Sequence, residues 1–228
     1  MSPGRSFDAV VVSGGGAPSA EAAASVLPVP AGVFVVAADS GLDHALGLGL
    51  RVDVVVGDLD SVSAAGLEAA AASGTVVERH PEAKDATDLE LALDVAVARG
   101  ARRILVLGPD GGRFDHVLAG AALLAAPRYA AVDVEARLGP ARLVVVRSSA
   151  TLTGRPGELV TLLPVHGAVA GVVTEGLLYP LRGEDLLPGS TRGVSNEMLG
   201  DEARVSVRAG VLVAIQPGAL GTHQAGRG

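Results

Sequence analysis

The sequence contains no cysteine, which excludes disulfides, thiolate nucleophiles and Cys-ligated zinc. It contains no tryptophan either, and aromatic residues make up 2% of the chain. The core must therefore be built from Val, Leu and Ala. No apolar run is long enough to cross a membrane. The opening stretch Met1-Ser-Pro-Gly-Arg-Ser-Phe-Asp8 lacks the apolar centre of a signal peptide. The expectation is a soluble cytoplasmic protein. Basic runs are missing too: the net charge is −7, and a nucleic-acid partner needs clustered Lys and Arg. A nucleotide such as ATP is still allowed, because a bound metal inverts the local sign.

Two residue types are all but absent. The 18 basic residues comprise 17 Arg and Lys84, and the sole Asn is Asn196. The wealth of Ala, Gly, Arg and Val suits a GC-rich genome drifting away from Lys and Asn codons. A lone Lys or Asn is then either retained for its chemistry or a chance survivor.

What is present is organised around Gly57-Asp58-Leu59-Asp60-Ser61, which follows the apolar run Asp53-Val54-Val55-Val56. Such a run reads as a buried parallel strand. Asp58 and Asp60 lie two apart, so an extended chain points both carboxylates to one side. In an open α/β sheet, ligands sit beyond the carboxyl ends of the strands. Two acids there repel unless a cation lies between them, and Mg²⁺ prefers carboxylate and phosphate oxygen. The plainer reading is a polar strand-to-helix turn, with Ser61 or Ser63 capping the next helix.

The other motifs repeat this placement. Phe7–Val12 reads as a strand running into Ser13-Gly14-Gly15-Gly16 and an Ala-rich helix from Ser19. That turn either holds phosphate on its N–H groups or is simply tight; it lacks the third Gly of a dinucleotide fingerprint. Val33–Ala38 reads as a strand ending in Asp39-Ser40-Gly41, with Asp39 a site acid or a helix cap. A strand over Thr75–Glu78 leads to Lys84-Asp85-Ala86-Thr87-Asp88 and a helix whose apolar face is Leu89, Ala92, Leu93, Ala96 and Val97. Asp85 and Asp88, three apart, share a face if both are helical. A lysine beside two acids suits a triphosphate with its metal, with Lys84 on phosphate and the acids on Mg²⁺. Arg103–Leu107 reads as a strand delivering Gly112-Arg113-Phe114-Asp115-His116 to the same edge. There Arg113 can hold phosphate oxygens, Asp115 can touch the nucleotide or cap the helix, and His116 can act as a base or stay structural.

Strands at Ala131–Ala136 and Arg142–Val146 complete an α/β domain over residues 1–147, a mostly parallel sheet with helices on both faces. From residue 148 the helical period disappears. Strands at Glu158–Leu163, Val172–Thr174, Arg204–Val207 and Val211–Ile215, with a hairpin turn at Ala209-Gly210, predict a small all-β domain over 148–222. The segment 147–156 reads as the linker, Pro188 to Glu197 as a polar loop, and 223–228 as a disordered tail.

Taken in order, Ala38-Asp39-Ser40-Gly41, Gly57-Asp58-Leu59-Asp60-Ser61, Lys84-Asp85-Ala86-Thr87-Asp88 and Gly112-Arg113-Phe114-Asp115-His116 resemble the thiamine pyrophosphokinase family. Thr174-Glu175-Gly176-Leu177, Tyr179-Pro180-Leu181 and Gly193-Val194-Ser195-Asn196-Glu197 resemble its C-terminal β-domain. The resemblance implies an α/β domain followed by a β-sandwich, a homodimer with sites shared between subunits, and conversion of ATP and thiamine to AMP and thiamine diphosphate. It implies Asp39, Asp58, Asp60, Asp85 and Asp88 as the Mg²⁺ and ATP site, Lys84 and Arg113 on phosphates, and Ser195 and Asn196 near thiamine. Two features depart from the pattern. Ser40 stands where a second Gly is usual, with Leu42-Asp43 in place of a small residue and Asn, and no Trp is available to stack on the pyrimidine. Alternatives are a pyrophosphokinase for another alcohol, such as a pterin, and a nicotinamide-dependent oxidoreductase using the Gly14 turn and Asp39.

Overall fold

A computed structural model describes residues 6–81 and 85–221 of the chain. Lys84 and the tail 223–228 lie outside the described residues. The chain divides into two compact units, the first holding 6–114 and 131–139, the second 115–130 and 140–221.

In the first unit six strands alternate with helices: β1 Ala9–Val12, α1 Ala20–Ala24, β2 Phe34–Ala38, α2 Gly41–Gly47, β3 Val54–Gly57, α3 Ala64–Ser73, β4 Val76–Arg79, α4 Asp88–Ala98, β5 Arg103–Gly108 and β6 Asp133–Leu138. The order is β4-β3-β2-β1-β5-β6, and every ladder among them is parallel. Strand order reverses beside β1, so ligands belong outside the carboxyl ends near that point. β1 and β3 are buried at every position, as a sheet covered on both faces requires. On one face Val10, Val12, Val35, Ala37 and Val55 form a cluster with Leu42 and Ala45 of α2 and Ala70 of α3. α4 packs along β1, β2 and β3 and buries Ala92, Leu93 and Ala96, the centre of the apolar face read from the sequence. No helix among the described residues is long and apolar enough to cross a membrane.

The start of β1 is tied to β5 by one carboxylate. Asp8 Oδ2 accepts from the backbone N–H groups of Arg102 and Arg103, each at 2.9 Å. The Arg102 N–H, then the Arg103 N–H and guanidinium, hold the Asp8 carboxyl below its ordinary value against the opposing effect of burial. A carboxyl with a lowered folded pKa stabilises the fold above the unfolded value, about 3.9, and that contribution is lost as pH falls through the folded pKa. Asp8→Asn should therefore flatten the loss of stability below about pH 4. Thermal unfolding midpoints across the acid range measure this. Parallel curves for parent and variant would show that Asp8 carries no such linkage.

The second unit holds most of α5 Phe114–Leu124, followed by β7 Ala141–Val146, β8 Ser149–Thr153, β9 Leu159–Glu175, β10 Arg182–Leu186, β11 Asn196–Glu197, β12 Glu202–Ser206 and β13 Ala209–Gln216. The β strands run in the order β7-β13-β9-β12-β8, with β10 and β11 also on β9, all antiparallel. The first part of β9 pairs with β13 and its end with β12, so β9 serves both layers of a sandwich. Val144, Val146, Leu162, Leu212 and Ala214 from one layer meet Leu152, Val172, Leu186, Ala203 and Val205 from the other in a single buried cluster.

Several expectations change here. The strands expected at 158–163 and 172–174 are one 17-residue strand. It passes through Pro164 to Gly171 by bending, with His166 at φ 60°, Gly167 at 131° and Gly171 at 61°. The stretch read as linker contains β8, the stretch read as a polar loop contains β11, and β10 forms where no strand is expected. Residues 142–146 do form a strand, but its ladder in this unit is antiparallel to β13. Ala209-Gly210 is not a hairpin turn. β12 and β13 do not pair with each other; each pairs with a different part of β9. Gly210 is needed because β13 crosses β9 closely: at φ 90°, a Cβ there would lie 2.7 Å from the Ala168 carbonyl oxygen.

Candidate active site

The chain leaves β2 into Asp39 and β3 into Asp58, at adjacent carboxyl ends of the sheet. Asp39 takes a left-handed conformation, φ 49°, and its N–H donates to Val56 O at 2.8 Å. α2 then begins at Gly41, where a Cβ would meet Val12 O at 2.2 Å. Only glycine lets that helix start so close to β1. Gly57, at φ 142°, plays the same part for β3: a Cβ there would lie 3.1 Å from Asp88 Oδ1 and 3.2 Å from Asp39 Cβ.

Asp39, Asp58 and Asp60 each offer a carboxylate oxygen, and the three oxygens lie within 4.8 Å of one another. The sequence points to this convergence for a reason that the structure corrects. The segment is not extended. Leu59 is left-handed at φ 63°, and Asp60 N–H folds back on Asp58 Oδ1 at 3.2 Å. The Leu59 side chain, 4% exposed, is anchored in the cluster beneath α2 and α3, which offsets a conformation costing about 1 kcal/mol or more.

The remaining acids separate. Asp88 opens α4 behind the Thr87 cap, whose Oγ1 accepts from Glu90 N–H at 3.3 Å. Its Oδ1 rests against Gly57, beside the three-acid group. Asp85 is exposed in the bend before the cap, so the two do not share a helix face. Arg113 is exposed, beyond Gly111 and Gly112 at φ 86° and 99°. Asp115 and His116 are exposed in the first turn of α5.

Three residues near the acids have roles beyond those read from the sequence. Ser61 donates its hydroxyl proton to Asp39 Oδ2; the cap of α3 is Ser63, which accepts from Gly66 N–H at 2.9 Å. Arg79, at the end of β4, donates to the Asp58 carbonyl at 3.4 Å. Ser40 Oγ accepts from Gly15 N–H at 3.1 Å, so one N–H of the glycine turn is already committed.

In the second unit Ser195 is left-handed at φ 56° and exposed, with its N–H on Thr161 Oγ1 at 3.2 Å. Asn196 is 5% exposed. Its Oδ1 accepts from the N–H groups of Tyr179 and Glu197, both at 2.9 Å, and its Nδ2 donates to Tyr179 O at 2.7 Å. The only Asn of the chain thus clamps a backbone segment and turns no free amide outward. Tyr179 itself is 55% exposed.

The residues fit a divalent cation. Three carboxylate oxygens form a hard donor set, and Asp39 Oδ1 is buried without a hydrogen-bond partner among the described residues. A buried bare carboxylate oxygen is costly unless a cation or donor meets it.

Residues 31–136 match the family model described as the catalytic domain of thiamin pyrophosphokinase, and residues 148–212 match that of its vitamin B1 binding domain. The chain belongs to the thiamin pyrophosphokinase family. A thiamine pyrophosphokinase of Bacillus subtilis is 27% identical over 188 residues, covering 78% of this chain and 84% of the relative. The crystal structure of the B. subtilis thiamine pyrophosphokinase shares the fold, with TM-score 0.78 at 22% identity over 91% of this chain and 98% of that one. That of the Geobacillus thermodenitrificans thiamin pyrophosphokinase gives TM-score 0.75 at 29% identity, over 91% and 96%. Within this family the departure at Asp43 is structural. Its carboxylate accepts from Ser63 N–H at 2.8 Å and from Ser63 Oγ at 2.6 Å, joining α2 to the start of α3.

Proposed function

We propose that this family member transfers the pyrophosphoryl group of ATP to the hydroxyl of thiamine. The thiamine oxygen bonds to the β-phosphorus, the bond from that phosphorus to the bridging oxygen breaks, AMP leaves with the bridging oxygen, and the hydroxyl proton is released. The observation that carries this reading is the convergence of Asp39, Asp58 and Asp60 at the carboxyl ends of β2 and β3, in a chain that matches both domains of the family.

Asp39, Asp58 and Asp60 would hold Mg²⁺, with Asp88 beside them against Gly57, and Asp85, in the bend before α4, would join the site when Mg-ATP is bound. Bound there, the ion neutralises phosphate charge that grows as the leaving group departs. Arg113 and Lys84 would take phosphate oxygens, and Asp115 and His116 would contact ATP. Residues 1–147 would carry the nucleotide chemistry and 148–222 the thiamine, with the exposed Ser195 hydroxyl a direct contact and Asn196 acting by holding Tyr179. The resemblance to the family further supports a cytoplasmic homodimer with sites shared between subunits, which light scattering would show as twice the chain mass.

Incubation with Mg-ATP and a panel of alcohols, followed by product analysis, tests the reaction. AMP and thiamine diphosphate should form with thiamine. AMP formed only with a pterin alcohol would reassign the substrate, and ADP would overturn pyrophosphoryl transfer.

A further inference from the structure

The two oxygens of Asp39 are treated differently. Oδ2 receives the Ser61 hydroxyl, while Oδ1 is shielded from solvent without a hydrogen-bond partner among the described residues. The root of the side chain is confined as well, because the backbone is held at φ 49° and Cβ packs against the bare face of Gly57. Ser61 is exposed, so its hydroxyl is not kept for burial. It is not kept for capping either, since Ser63 caps α3.

We propose that Ser61 is a positioning residue for the cation. By engaging Oδ2 it fixes the rotation of the Asp39 carboxylate, one oxygen of which converges with Asp58 and Asp60, and leaves Oδ1 bare. Three carboxylates with oxygens within 4.8 Å of one another repel. Without the hydroxyl, the Asp39 carboxylate can rotate away from the cluster, whereas Asp58 Oδ1 stays tied to Asp60 N–H. Groups that orient metal ligands in this way commonly change affinity by about 10–100-fold. The inference rests on the cation reading above.

The test uses the full, nucleotide-free chain with Mn²⁺ as the probe, read by electron paramagnetic resonance. Ser61→Ala should weaken Mn²⁺ binding about tenfold with the thermal midpoint unchanged, and Ser61→Thr, which keeps the hydroxyl, should bind within about twofold of the parent. In turnover, the Mg²⁺ concentration for half-maximal rate should rise in Ser61→Ala while KM for thiamine stays constant. Parental Mn²⁺ affinity in Ser61→Ala would overturn the inference and leave the proposed reaction standing. A parent that neither binds Mn²⁺ nor makes AMP would overturn both.

Discussion

Asp58→Asn is expected to lower kcat by at least about a hundredfold, the scale seen when a group that stabilises transition-state charge is removed. The substitution is nearly isosteric and keeps an oxygen at the position that accepts Asp60 N–H at 3.2 Å. The left-handed turn at Leu59, anchored by its buried side chain, should therefore survive. What is lost is one negative charge among three converging oxygens. With Asn there, the site attracts a divalent ion less strongly, and the residual rate should need far more Mg²⁺. AMP release across a Mg²⁺ titration, together with the thermal midpoint, separates this from misfolding. A variant that turns over within a few-fold of the parent at unchanged Mg²⁺ demand would remove Asp58 from the cation site.

The alternation of strands and helices up to β5 was legible because β2, β3 and β5 are short apolar runs that end in Gly or run straight into Asp, and β1 is one that runs into Ser13-Gly14. The acids followed from that placement. The backbone that makes them converge was not legible: nothing in the composition of Asp58-Leu59-Asp60 signals a left-handed Leu, which depends on the core that anchors it. Ser61 was legible only as a cap, because its partner Asp39 is 22 residues away. In the second unit, Pro164 and Gly167 fall between the two strands expected at 158–163 and 172–174, yet β9 continues through them because β13 and β12 take up successive parts of it. β8 and β11 are short and polar, and their pairing partners are distant in sequence. Such strands are specified by the sheet they join.

Asn196→Ala should be the most damaging change in the second unit. It removes the acceptor for two backbone N–H groups and the donor to a third backbone group, all within 2.7–2.9 Å of a side chain 5% exposed. A buried polar group left without a partner costs about 1–3 kcal/mol; the three backbone groups here are partly buried, so a total loss of about 3 kcal/mol is expected. At roughly 2–4 °C per kcal/mol for a chain of this size, the midpoint should fall by about 6 °C or more. Asn196→Asp discriminates further. Its carboxylate can still accept from Tyr179 and Glu197, but it places an anionic oxygen against the Tyr179 carbonyl where Nδ2 now donates at 2.7 Å. That variant should also be destabilised and should lose more as the pH rises and the carboxyl ionises. If the clamp serves thiamine through Tyr179, a variant kept folded by lower temperature should raise KM for thiamine and leave KM for ATP unchanged. A midpoint within about 1 °C of the parent for Asn196→Ala would mean the amide does not hold this segment, and the only Asn of the chain would then be an accident of codon drift.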